Sequence, residues 1–250
     1  MMLVINMYKN YIFDLYGTLI DINTDESKIS FWKKISEFFS YNNAHYTYKE
    51  LKEFYLIYCK EEEKILQKKY QYNSYEIQIE NVFKKLYLHK NVKPSKELIK
   101  STCQIFRLLS TKFIKLYPGV IELLETLKKN NKKIYLLSNA QYEFTIYEMI
   151  SLDLVKFFDG IMISSCEKTK KPDYHFFNKL FKKYKLKKEE SIMIGNDSTS
   201  DIQGANNFGI DSLYIYSDIS PKNDYKNNIS CKYKILDGDF KKIKDLVLKK

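Results

Sequence analysis

Asp14 stands at the tip of a short apolar run, Tyr11 to Phe13, and Gly17 and Thr18 follow it at once. A carboxylate delivered by a strand into a glycine turn is a candidate nucleophile or metal ligand. The plainer reading is an Asp that caps its own turn. Three further polar clusters also follow apolar runs. KIYLLSNA places Ser138 and Asn139 after Lys133 to Leu137, and KKPD places Lys171 before Pro172 at the start of a helical pattern. SIMIGNDSTSDIQGA places Asn196, Asp197 and Asp201 after Ser191 to Ile194. A hydroxyl, two amides, an ammonium and three carboxylates suit chemistry on an anionic substrate. The histidines His45, His89 and His175 are scattered and make no pair with a Ser or Cys.

These clusters act together only if the elements that carry them converge. From Lys115 onward, apolar runs of strand length alternate with helical patterns, such as the one opening at Pro118 with Val120, Leu123, Leu124 and Leu127. This alternation predicts a parallel sheet covered on both faces. In such a sheet the carboxyl ends of the strands share one crevice, where ligands bind. The four clusters would meet there although about 180 residues separate the first from the last.

Between Thr24 and Lys112 the period changes from two to that of a helix. Ile29, Trp32, Ile35 and Phe38 or Phe39 recur at helical spacing. Thr47 with Glu50 forms a capping box for a second helix with Leu51, Phe54, Tyr55 and Tyr58. A third helix is predicted from about Ser74 to His89, and a fourth after Pro94 with Leu98, Ile99, Cys103, Phe106 and Leu109. Such helices bury their apolar faces against each other as a small bundle. Trp32, Tyr55, Tyr58 and Phe83 are expected in its core, with pocket lining as the alternative. The fold expected is α/β: a Rossmann-like three-layer parallel sheet over residues 1–20 and 113–250, with an all-helical insertion over 21–112. A closing helix from Phe240 is expected to turn Ile243, Leu246 and Leu248 inward.

In this order and spacing the chain resembles the haloacid dehalogenase superfamily of Rossmann-like hydrolases, most of which are phosphatases. DLYGT matches the first motif, Ser138 the second, Lys171 the third and GNDSTSD the fourth, over nearly the whole chain. The resemblance implies that Asp14 is the nucleophile, that Lys171 keeps it ionised, and that Ser138 binds a transferring group with Asn139 beside it. It implies a Mg2+ site from Asp14, the backbone carbonyl of residue 16, and the acids of the fourth motif, Asp197 and Asp201. Repulsion among carboxylates in one crevice independently calls for a cation there, helix capping being the alternative for one of them. The helical insertion matches a mobile cap.

Two positions depart from the family pattern. Where a phosphatase has a second Asp, this chain has Tyr16, whose hydroxyl is expected to reach the site. Where the fourth motif has GD, it has Gly195–Asn196, which leaves either Asn196 or Asp197 as the ligand. Tyr16 and the Ser138–Asn139 pair also resemble the metal-free 2-haloacid dehalogenases, which grip halide with an arginine after the first motif. The single arginine here is Arg107, far down the cap. The reading is therefore a Mg2+-dependent phosphatase of a small metabolite. The alternatives are a dehalogenase-like hydrolase and a catalytically weak binding or regulatory protein.

Composition bounds the partners. The formal charge of +11 rests on 42 basic against 31 acidic residues, yet only one is arginine. Lysine pairs such as Lys33–Lys34 and Lys84–Lys85 fall on solvent faces of helical patterns, so a small anionic substrate, a phosphate monoester, is expected rather than nucleic acid. No run approaches the roughly 20 apolar residues that span a membrane. Cytoplasmic placement, and a monomer or weak homodimer, are expected. Met7 is a candidate start, because the first strand needs nothing before Tyr8. Cys59, Cys103, Cys166 and Cys231 are widely spaced, which fits neither a zinc knuckle nor a disulfide framework. Cys166 is expected to be a small buried thiol.

Overall fold

The computed structural model describes residues 8–224 and 229–247, so the candidate start at Met7 and the side chains of Leu246 and Leu248 lie outside what it describes. Strand β1 (Asn10–Phe13) is followed by β2 (Ile20–Thr24) and four helices, α1 (Ile29–Tyr41), α2 (Tyr48–Lys69), α3 (Ile79–His89) and α4 (Lys96–Ser110). Then come β3 (Thr111–Leu116), α5 (Val120–Lys129), β4 (Lys133–Ser138), α6 (Tyr142–Ser151), β5 (Gly160–Ile163), α7 (Ser164–Glu167) and α8 (Tyr174–Tyr184). The chain closes with β6 (Ser191–Gly195), α9 (Gln203–Phe208), β7 (Asp211–Ile215), β8 (Tyr233–Ile235) and α10 (Phe240–Val247).

Six strands form one parallel sheet in the order β5-β4-β1-β6-β7-β8. The alternation along β1 decides its layers. Tyr11 and Phe13 face the helices α5 and α10 through Leu123, Leu124, Leu127 and Ile243, whereas Ile12 faces α8 and α9 through Phe176, Phe177, Leu180 and Phe208. Both faces are apolar because both are covered. Phe13 lies opposite Leu136 on one side and Ile194 on the other, so the residues after these three strand ends share one edge.

The helical block has its own core, in which Phe31, Trp32, Phe39, Phe83, Tyr87 and Phe106 are buried. Tyr55 and Tyr58 pack against that core, so the aromatic residues at helical spacing are structural. Phe106 meets Phe31, Phe83 and Tyr55 at ring separations of 4.9, 5.2 and 5.4 Å. Phe144 of α6 joins the same cluster, stacked 6.2 Å from Phe106. Helix α6 thus serves two cores, since its Met149 is buried on the sheet side. The Thr47–Glu50 capping box forms as expected.

Three features differ from the sequence expectation. The block is entered and left through an antiparallel ribbon of β2 and β3, pairing Ile20 with Leu116 and Ile22 with Ile114. Helix α3 starts at Ile79 rather than near Ser74, because residues 73–76 run across to the core: Asn73 and Ser74 N–H donate to Asp173, and Glu76 N–H to Lys168 O. Cys166 is exposed, since α7 turns Ser164 and Ser165 inward instead.

Candidate active site

Backbone geometry sets Asp14. Its N–H donates to Ile194 O at 2.9 Å, which extends the β1–β6 ladder by one residue. The chain then turns with Gly17 at φ +83°, and the Gly17 and Ile20 N–H groups donate to Ile20 O and Leu15 O at 2.8 and 2.9 Å. A Cβ at Gly17 would stand 2.3 Å from Asn196 Nδ2, so glycine serves here for both its angles and its close approach. Thr18 Oγ1 lies 3.1 Å from Asn196 Oδ1 and 3.4 Å from Asp14 Oδ2, joining the first and fourth clusters.

Lys171 is the centre of the charge arrangement. Its Nζ stands 2.5 Å from Asp14 Oδ1 and 2.7 Å from Asp201 Oδ1, and all three side chains are buried. Burial alone would lower the Lys171 ammonium, but Asp14 and Asp201 outweigh it and raise it above the ordinary lysine value. Burial pushes the Asp201 carboxyl up to about 7, opposed by Lys171 and reinforced by Asp14. Asn139 fixes the lysine's backbone: Lys171 N–H donates to its Oδ1 at 2.8 Å, and its Nδ2 donates to Lys171 O at 3.0 Å. Ser138, at the end of β4, has a buried hydroxyl with no hydrogen-bond partner among the described residues. A ligand at the crevice would satisfy it.

The fourth cluster divides its residues. Asn196 is buried toward Thr18, with its Nδ2 3.4 Å from Ser217 Oγ and from Ser220 Oγ. Asp201 Oδ2 accepts from Asp197 N–H at 3.1 Å, and a Cβ on Gly195 would fall 2.2 Å from that same oxygen. Asp197 itself is a helix cap, its Oδ1 accepting from Thr199 N–H, Thr199 Oγ1 and Ser200 N–H at 2.8, 2.7 and 3.1 Å. The amide, not the extra acid, therefore stands next to the Asp14 turn.

The Tyr16 hydroxyl is engaged away from the expected acid–base position. It donates to Glu148 Oε2 on α6 and lies 3.0 Å from Thr145 Oγ1. Burial first, and Glu148 second, raise its pKa. Arg107, expected far down the cap, instead has its guanidinium 5.4 Å over the Tyr16 ring. Among the described residues no group of three or more His, Cys, Asp or Glu side chains is placed to hold a metal. Two carboxylates, Asp14 and Asp201, with the Asn196 amide oxygen nonetheless form a hard oxygen set with one ammonium for two acids. Oxygen donors of this kind are the type Mg2+ takes, one or two carboxylates with several waters.

Known proteins resemble this arrangement at several levels. The family model for haloacid dehalogenase-like hydrolases matches residues 11–215. Pyrimidine 5'-nucleotidase PynA of Streptococcus pneumoniae is 33% identical over 97 residues, 38% of this chain and 41% of that protein. Glyceraldehyde 3-phosphate phosphatase of Pyrococcus furiosus is 35% identical over 107 residues, 42% of this chain and 45% of that protein. The matches span less than half the length of these curated relatives. The 2-haloacid dehalogenase of Pseudomonas syringae has the same fold, with a TM-score of 0.63 at 17% identity over 97% of this chain and 98% of that one. So has a phosphatase of Thermococcus onnurineus, with a TM-score of 0.59 at 15% identity over 96% and 97% of the two chains.

Proposed function

The chain belongs to the haloacid dehalogenase-like hydrolases, and on that premise we propose that it hydrolyses a small phosphate monoester through Asp14, with Mg2+ as cofactor. The observation that carries this reading is the buried Asp14 carboxylate, held 2.5 Å from the Lys171 ammonium at the strand edge shared by all four clusters. The ammonium is the counter-charge beside the Asp14 nucleophile and offsets negative charge that develops on a transferring group. Asp14 Oδ2, the oxygen away from Lys171, attacks phosphorus, the bond to the leaving oxygen breaks, and that oxygen takes a proton. Water then attacks the aspartyl phosphate, releasing inorganic phosphate and the Asp14 carboxylate.

Ser138 is the hydroxyl donor for a phosphoryl oxygen, while the Thr18 hydroxyl is turned to Asn196 and Asp14. With its proton donated to Glu148, Tyr16 is not the acid, so the leaving group is protonated from solvent or by the substrate itself. Asp14, Asn196 and Asp201 would hold Mg2+, which when bound neutralises phosphoryl and carboxylate charge. The helical block over residues 21–112 acts as the cap that excludes water from the crevice. The curated relatives named above carry phosphatase and nucleotidase names, and the crystal structure of Bacillus subtilis YfnB, of the same fold, is described as bound to magnesium. A dehalogenase reading needs a free cation near the nucleophile, and Arg107 is paired with Glu148 at 2.5 Å.

Purified protein is expected to hydrolyse p-nitrophenyl phosphate in Mg2+, to stop in excess chelator, and to recover when Mg2+ returns. Asp14→Asn should fold normally and lose at least about 1,000-fold in kcat, because an amide is no nucleophile. Chelator-resistant release of chloride from 2-chloropropionate, without phosphatase activity, would replace this reading with the dehalogenase one.

A further inference from the structure

Arg107 and Glu148 lie on different bodies of the fold, the last cap helix α4 and the core helix α6. Arg107 Nε donates to Glu148 Oε1 at 2.5 Å and Nη2 to Oε2 at 3.3 Å, with side-chain exposures of 17% and 11%. The same Oε2 accepts a hydrogen bond from the Tyr16 hydroxyl. The guanidinium lies 5.4 Å from both the Tyr16 and Phe144 ring centres, so it is stacked as well as paired. Burial alone would weaken the arginine's charge, but the contacts with Glu148 and Tyr16 hold it. One carboxylate thus joins the cap to the second residue after Asp14.

We propose that Glu148 is a positioning residue with two tasks: its carboxylate docks the cap through both oxygens on Arg107, and Oε2 also holds the Tyr16 phenol clear of Asp14. Cap closure and the geometry of the nucleophile turn then share one side chain. A core without Glu148 keeps the Phe106–Phe144 packing on α4 but loses its charged tie, and the phenol is left with Thr145 alone to hold it away from the crevice. The effect on turnover rests on the phosphatase reading above, whereas the docking of α4 does not.

The two tasks separate by substitution. Glu148→Gln retains an acceptor oxygen for Tyr16 but no charge for Arg107, while Glu148→Ala retains neither. Hydrogen exchange followed by mass spectrometry should show peptides within residues 96–116 exchanging at least about tenfold faster in both variants and in Arg107→Ala, with β4 and β6 unchanged. With p-nitrophenyl phosphate, Glu148→Ala should lose about tenfold or more in kcat, and Glu148→Gln should stay closer to the wild type. In a Tyr16→Phe background the further loss on Glu148→Ala should vanish, which a general structural role would not produce.

Wild-type exchange over 96–116 in Glu148→Ala, or a kcat for Glu148→Gln no higher than that for Glu148→Ala, overturns the proposal. If Glu148→Ala does not fold, Glu148→Gln and Arg107→Ala carry the exchange test. A wild type without activity on any phosphate ester defeats the phosphatase reading, and the exchange measurement then decides the docking by itself.

Discussion

Lys171→Met isolates the charge that holds the crevice together. The methionine keeps most of the stem's volume and removes the ammonium that stands 2.5 and 2.7 Å from two buried carboxylates. Removing one partner of a buried ion pair costs about 3–5 kcal/mol, because the remaining charge has lost both water and its counter-ion. For a chain of this size that corresponds to a fall of roughly 6–20 °C in melting temperature. Lys179→Met, which breaks a partly exposed pair with Glu167 at 3.0 Å, is the control and should cost about 1 kcal/mol or less.

The cost should depend on pH in a stated direction. Asp201 has a folded-state pKa raised to about 7, above its unfolded value, so its burial penalty is absent below the ordinary carboxylate range and grows as pH rises through 7. Lys171 offsets that penalty in the wild type. Losing the ammonium raises the Asp201 carboxyl further. The deficit of Lys171→Met should therefore be smallest at about pH 5.5, where Asp201 is protonated in both proteins, and should grow as pH rises through 7 toward about pH 8. Circular-dichroism melts of chelator-treated protein at both values measure it. A variant that melts within about 2 °C of the wild type at the higher pH would refute the electrostatic account. A deficit equal at both values would assign the loss to packing.

Asn196→Asp places a third carboxylate beside Thr18 and should tighten Mg2+ binding at least about tenfold by titration calorimetry. Asp197→Ala should instead cost about 1 kcal/mol in thermal melts through its lost cap and leave Mg2+ affinity within about twofold. An Asp197→Ala that lost more Mg2+ affinity than Asn196→Ala would reverse the assignment of the two positions. Asp173→Ala strips a buried acceptor from the N–H groups of Asn73, Ser74 and His175 and should cost about 2–4 kcal/mol. Limited proteolysis should then cut first within residues 70–78; an unaltered cleavage pattern would show that Asp173 does not hold that segment.

Asp14, Ser138, Asn139 and Asp201 were legible in the sequence because each lies at or just after a strand end whose alternation and length are local properties. Lys171, by contrast, was legible through its place in the order of the motifs. Parallel pairing about β1 then brings their positions to one edge without further information. Asn196 and Asp197 were legible as a pair but not in their division of labour, which depends on a capping turn that either neighbour could have closed. The ribbon of β2 and β3 was not legible, since each strand is short and its partner lies across the whole helical block. Arg107 and Glu148 were missed for a related reason. Helical spacing tells which residues share a face, but only the packing of α4 on α6 decides what that face meets. The one available signal was a solitary arginine in a chain otherwise charged by lysine.

The paired ribbon gives the helical block a single doorway. Its outgoing strand β2 and returning strand β3 run side by side, with facing Cα atoms about 5 Å apart, so the sheet receives the whole insertion as it would a hairpin loop. An insertion with adjoining ends can be exchanged without shifting the register of β1 or β4, which makes this doorway the natural joint for grafting another substrate-selecting module. Attachments away from the doorway limit what can be grafted, and two of them bear on the site. The lysine-bearing loop relies on the Asn73 and Ser74 amides at Asp173, and α6 presents Glu148 to a guanidinium. A module that reproduced only the strand ends would join the chain and still leave Lys171 and Tyr16 without their outside supports.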